Sequence, residues 1–195
     1  MKRIIIAICL FMTSMTFINA QEQTTNEEKH LKFKGIELNI PLQEFSDKLI
    51  EQGYEYVISD GENGIMLKGR FGGYTADIVI LGNKEGITCG AGANIPCQSW
   101  SHIRSVYTDF HQSLEQKYGR PVDSYMVFWS PYKEGDGKEL IALKNDKLWC
   151  FARWEFPEGL IILQMSVDAL GKTVVQLVYN DALNMPETTT MMEDI

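Results

Sequence analysis

The sequence predicts an α+β protein, arranged helix–antiparallel meander–helix–antiparallel meander, with the helices packed on one face of the sheet or sheets. Three observations lead there. Trp100, Ile103, Tyr107, Phe110, Leu114 and Tyr118 recur at steps of three and four, forming one apolar stripe along a helix. Short apolar runs elsewhere are separated by glycine-containing turns, so successive strands fold back antiparallel. The hydrophobic content of 45% is that of a globular chain, too high for disorder throughout.

The elements follow in order. Lys2 and Arg3 precede an apolar run, Ile4 to Met12, and a small, polar stretch closing on Ile18-Asn19-Ala20. This is the layout of a secretory signal peptide. The run falls short of the roughly 20 apolar residues a membrane span needs. Residues 1–20 are therefore expected to be cleaved, with Gln21 as the new N-terminus and a periplasmic or extracellular destination. Residues 21–30 carry no apolar side chain and read as a polar tether; residues 185–195 read as a tail. Between them, 31–184 is expected to form one α+β domain, either a single unit or two fused helix-plus-meander halves at about 31–97 and 98–184.

Pro41 suits a first helical turn, Leu42, Phe45 and Leu49 share a face, and Gly53 follows, so a helix is expected over 42–52. Strands follow at 54–59, 65–71, 74–81 and 86–89, with Asp60-Gly61, Asn63-Gly64 and Gly72-Gly73 at the turns. The striped helix starts at a Ser99 cap and stops at Gly119 before Pro121. A second strand series is expected at 124–129, 148–156, 160–167 and 173–179, with a short helix over 138–145. Leu160-Ile161-Ile162-Leu163 is apolar on both faces, as a central strand would be.

Cys9 falls inside the leader, leaving Cys89, Cys97 and Cys150. Exported cysteines tend to pair. The expected pair is Cys89–Cys97, closing the small-residue segment Gly90-Ala91-Gly92-Ala93, with Cys150 buried and unpaired between Trp149 and Phe151.

The formal net charge of −8 becomes more acidic once Lys2 and Arg3 leave, which argues against nucleic acid and anionic lipid surfaces. Phosphate-binding glycine loops, a dinucleotide fingerprint, a serine elbow and a helical zinc pair are all missing from the chain. His102 and His111 lie about 180° apart on a helix of 3.6 residues per turn and cannot share a metal. No cofactor is expected. Cys97, just ahead of the second helix, is the one weak candidate nucleophile. Ile95-Pro96-Cys97-Gln98-Ser99-Trp100 superficially resembles the nucleophile segment of papain-like cysteine hydrolases, whose nucleophile opens a helix, but no histidine follows in the second meander.

Binding residues are expected among the aromatic and charged side chains of the second meander. Trp149, Arg153 and Glu155 alternate along one strand face, and Trp129 and Tyr132 flank the Ser130-Pro131 turn, Tyr132 as its most exposed aromatic. The leader, Phe-Lys-Gly-Ile (33–36), Gly-Arg-Phe-Gly-Gly-Tyr (69–74) and Lys-Tyr-Gly-Arg-Pro (117–121) together resemble small exported α+β proteins of the Bacteroidetes type. That resemblance implies an envelope or extracellular location and no established activity. In fold pattern alone the chain is also similar to tandem helix-on-sheet inhibitory or binding domains. The expected function is a non-enzymatic binding or interaction domain for a protein, peptide or glycan. The alternatives are a cysteine-dependent hydrolase using Cys97 and a structural envelope component whose sheet edge pairs with a partner strand.

Overall fold

The computed structural model describes residues 29–61 and 63–184. The expected signal peptide, most of the expected tether and the expected tail lie outside the described residues. The fold is α+β with antiparallel sheets. A two-stranded hairpin, β1 (Lys32–Phe33) and β2 (Ile36–Glu37), precedes helix α1 (Leu42–Glu51). Strands β3 (Glu55–Ser59), β4 (Gly64–Phe71), β5 (Tyr74–Gly82) and β6 (Thr88–Pro96) follow. Helix α2 (Trp100–Tyr118) leads to β7 (Asp123–Phe128), short helix α3 (Glu139–Lys144), and strands β8 (Leu148–Phe156), β9 (Gly159–Val167) and β10 (Thr173–Asp181).

Strands β3 to β10 form one eight-stranded sheet in the order β3-β4-β5-β6-β10-β9-β8-β7. The two runs of four strands meet at their last members, β6 against β10, where Val174 to Asn180 pair with Pro96 to Gly90. Side chains alternate across such a sheet. Leu67, Ile78, Ala93, Leu177, Leu163 and Ala152 stand in register on one face, and all are buried. Leu42, Phe45 and Leu49 of α1, and Ile103, Val106, Phe110 and Leu114 of α2, join them in one core. Helix α1 packs against β4 and β5, and α2 against β9 and β10.

An aromatic stack locks these layers together. Phe33 lies parallel to Phe71 at 5.3 Å, Phe71 stacks on Phe110 at 5.7 Å, and Phe33 meets Tyr179 edge-on at 5.5 Å. It joins the hairpin, the end of β4, helix α2 and strand β10. Each such pair contributes about 0.5–1.5 kcal/mol beyond area burial. The β4–β5 turn is tight for the same reason. Gly72 sits at φ +57°, and a Cβ there would come within 2.7 Å of the Phe110 ring. Asp181, fully buried at the end of β10, accepts the backbone N–H groups of Leu31, Leu183 and Asn184 at 3.2, 3.2 and 3.0 Å, and its carboxylate lies 3.1 Å from His30 Nδ1. His30, read from the sequence as part of the tether, is thus held against the domain.

Two expectations need correction here. The fourth strand does not stop at Cys89: it continues through the small residues to Pro96. Nor do Cys89 and Cys97 form a disulfide; all three described cysteines are free. The reason is geometric. At about 3.3 Å per residue, a strand carries its eighth neighbour roughly 26 Å away, whereas a disulfide holds Cα atoms within about 7 Å. The glycines and alanines between them serve the sheet centre. A Cβ on Gly92 would come within 2.9 Å of the Leu177 carbonyl oxygen of β10. Gly92→Val is therefore expected to lower stability by about 1–3 kcal/mol, read as a reduced urea midpoint at unchanged slope. An unchanged midpoint would show that β10 gives way at this contact without cost.

Candidate functional site

The face of the sheet opposite the helices is uncovered. Its side chains in β4, β5, β6, β10, β9, β8 and β7 are mostly half-buried or exposed, while their alternates are mostly buried. One register row runs Lys68, Asp77, Asn94, Gln176, Gln164, Phe151, Tyr125 from β4 to β7. At its centre the amides form a chain: Gln164 Nε2 donates to Gln176 Oε1 at 2.6 Å, and Gln176 Nε2 donates to Asn94 Oδ1 at 3.1 Å. Beside it lie Val79, Gly92, Val178 and Ile162, the next row along, which ends in Arg153 and Asp123.

The β7–β8 end of this face is aromatic. Tyr125 stacks on Phe151 with centroids 5.4 Å apart, and Trp129 meets Trp149 edge-on at 6.1 Å. Trp149 and Trp129 remain 53% and 51% exposed, unusual for residues with so much apolar surface. Arg153 is fixed beside them. Its Nη2 lies 2.6 Å from Asp123 Oδ2 and its Nη1 2.7 Å from Glu155 Oε1. A guanidinium held between two carboxylates presents a planar, oriented edge.

Of the residues singled out in the sequence, Trp129, Trp149, Arg153 and Glu155 gather at this end of the open face. Tyr132 departs from the sequence reading in being half-buried: it packs against the core, and its hydroxyl accepts a hydrogen bond from Asn145 Nδ2 at 3.0 Å. Tyr125 and the Asn94–Gln176–Gln164 chain were missed. Their signal was present in the period-two alternation of β7, β9 and β10, but it gains meaning only once the strand order aligns them.

Cys97 makes a poor nucleophile. It is 3% exposed, its Sγ donates to the Ile95 carbonyl at 3.4 Å, and burial pushes its thiol pKa up, away from the thiolate. Cys150 is buried beside Tyr107, and burial pushes it to about 11. A different polar group forms on the helix side, between α2 and β7. Ser124 Oγ lies 3.3 Å from His111 Nε2, and His111 Nδ1 stands 3.9 Å from Glu115 Oε2. The second distance exceeds hydrogen-bond reach, and Glu115 also faces Arg120 Nε at 4.0 Å. Among the described residues no group of three or more His, Cys, Asp or Glu side chains could hold a metal ion, and no helix is long and apolar enough to cross a membrane.

Comparison with family models, with curated proteins and with solved structures returned no match for this chain.

The thiols supply a direct check. In the native protein Cys97 and Cys150 are expected to resist alkylation at neutral pH, and all three described cysteines to react once the chain is unfolded. Because the folded-state pKa of Cys150 is raised above the ordinary 9.0, its contribution is intact below pH 9 and is lost as pH rises toward about 11. In that window the unfolded chain has released a proton that the folded one retains. Stability should fall there by up to about 1.4 kcal/mol per pH unit for this group. Denaturant melts at stepped pH would reveal it, and Cys150→Ala should flatten the slope.

Proposed function

We propose that this chain is an exported, non-enzymatic interaction domain that presents the open sheet face to a protein partner. The observation that carries the reading is the uncovered face itself, apolar and amide-lined in its middle, aromatic at one end. Seven strand spacings of about 4.8 Å and strands of about 30 Å give that face roughly 1,000 Å². This matches the roughly 800 Å² each partner contributes to a standard protein–protein interface. Its composition agrees: Trp, Tyr and Arg are the usual anchors of binding energy, and an exposed apolar patch rimmed by charge marks an interaction site. Export is supported by the leader at residues 1–20.

The strand order supports a further part of this reading. Each half, 31–97 and 98–184, supplies four strands of the eight-stranded sheet with a helix ahead of them, and the order mirrors itself about the β6–β10 seam. Two fused helix-plus-meander halves would build such a face by joining two smaller sheets edge to edge. A structural role through strand addition is less well supported. Edge strand β3 exposes Tyr56, Val57 and Ile58, but a register break between Tyr56 and Ile58 interrupts the ladder a partner strand would need. One observation favours a second reading, a serine-dependent hydrolase: the Ser124–His111 contact beside Glu115. Covalent labelling of Ser124 by a fluorophosphonate, lost in His111→Ala, would establish it over the interaction reading.

The test places a photo-crosslinking side chain at Val178 on the open face and, separately, at the exposed Gln112 on α2. Protein adducts are expected from position 178 only. They should fall at least tenfold in a Trp149→Ala, Tyr125→Ala double variant whose melting temperature is unchanged. Equal adducts from both positions, or indifference to the aromatic substitutions, would remove the open face as the docking surface.

A further inference from the structure

A second concavity lies on the other side of the sheet. It is a cleft of about 800 Å³ between the β1–β2 hairpin, the last turn of α2 and the β8–β9 turn. Its charge runs against the composition of the chain. Lys29, Lys32, Lys34 and Lys117 line it with His30, opposed by Glu37 and Glu158, in a protein whose 26 acidic residues outnumber its 18 basic ones. Lys32 is held by Glu37 at 2.9 Å. Lys117 stands 4.7 Å over the Tyr118 ring, and Lys34 lies 6.0 Å from the Tyr54 ring. These two ammonium groups are thus positioned over aromatic faces.

The walls are apolar. Phe33 and Phe71 stack on one side, Tyr118 and Phe156 approach at 5.3 Å on another, and the ring of Tyr179 is buried beside them. The volume falls in the range of about 300–1,000 Å³ typical of small-molecule sites. Cations at the rim and rings within are complementary to a ligand with an anionic head and an apolar body.

The number of charges on that head can be argued. Lysine is a compact point charge that attracts carboxylate and phosphate alike, so the choice between them falls to the negative features around it. The C-terminal end of α2, at Tyr118, brings the negative end of a helix dipole to the cleft. Glu37 and Glu158 add to it. The helix end and the two carboxylates disfavour a multiply charged group while leaving room for a single negative charge.

We infer that this cleft is a binding site for an amphiphilic monocarboxylate, its head among Lys34, Lys117 and Lys29 and its body against the half-buried Tyr118 and Phe156 rings. The site is separate from the open face, since its walls belong to the helix-covered side of the sheet. A carboxylate ligand and a protein partner would therefore occupy the molecule together.

The experiment titrates the full exported chain with 11-(dansylamino)undecanoic acid and follows dansyl emission. A saturable, blue-shifted signal is expected, displaced by hexadecanoate and at least tenfold less well by hexadecanol. The exposed-lysine double variant Lys34→Gln, Lys117→Gln should weaken binding at least tenfold, with circular dichroism unchanged. Lys68→Gln on the open face serves as the control and should leave binding unaltered. Absence of saturable binding overturns the proposal. So does binding that ignores charge, whether the alcohol displaces as well as the acid or the cleft variant binds as tightly as the parent.

Discussion

The fold depends on the pairing of β6 with β10. Seven register pairs join strands that are remote in sequence, and without them the two four-stranded runs would each end in an unpaired edge. Such an edge is a liability that proteins must cover or pair. Joining the last strand of each run satisfies both edges at once and leaves β3 and β7 as the edges of the sheet. The small residues of β6 make the junction possible. On the helix side Ala91 and Ala93 pack against Tyr179 and Leu177, and on the other side Gly90 and Gly92 lie close against the backbone of β10.

The two faces then acquire different chemistry from one register. On one, Leu177, Leu163 and Ala152 complete a core with the helices; their neighbours one residue along, Gln176, Gln164 and Phe151, fall on the open side. Buried amides cost free energy unless paired, and the Asn94–Gln176–Gln164 chain pairs them while leaving the row half-exposed. The same seam sets the helix-side cleft. Tyr179 of β10 anchors the Phe33 edge contact, and Asp181 two residues on holds Leu31 and His30, so the hairpin carrying Lys32 and Lys34 is fixed beside the α2 terminus. The open face and the cleft are consequences of one strand pairing read from its two sides.

Much of the local structure was legible in the chain. The α2 stripe and its Ser99 cap are as expected, with Ser99 Oγ accepting from His102 N at 3.2 Å, and α1 differs from its expected span by one residue. Periodicity and capping are local properties, decided within a few residues. The segment from Gly90 to Ala93 was misread for a related reason. Glycine and alanine carry little β propensity, so flanking cysteines suggested a stapled loop, whereas the need for a thin central strand is imposed by β10, some eighty residues away. The β1–β2 hairpin was missed because each strand has only two residues; it is held by Asp181 and by the Phe33–Phe71 stack, and both partners are distant. Tyr132 follows the same pattern: its loop position suggested exposure, and its contact with Asn145 settled otherwise.

By itself, the sequence determined the α+β class, the helices, most of the turns and the alternation that makes one side of most strands apolar. Those features depend on backbone dihedrals and on contacts three or four residues away. The tertiary structure decided which strands became neighbours. That choice placed Trp129 beside Trp149, lined up the amides of three strands, gathered four lysines around one cleft and kept Cys89 and Cys97 apart. Strand order is a property of the whole core, because long-range pairing is selected by the total apolar surface it buries, and no single segment encodes it.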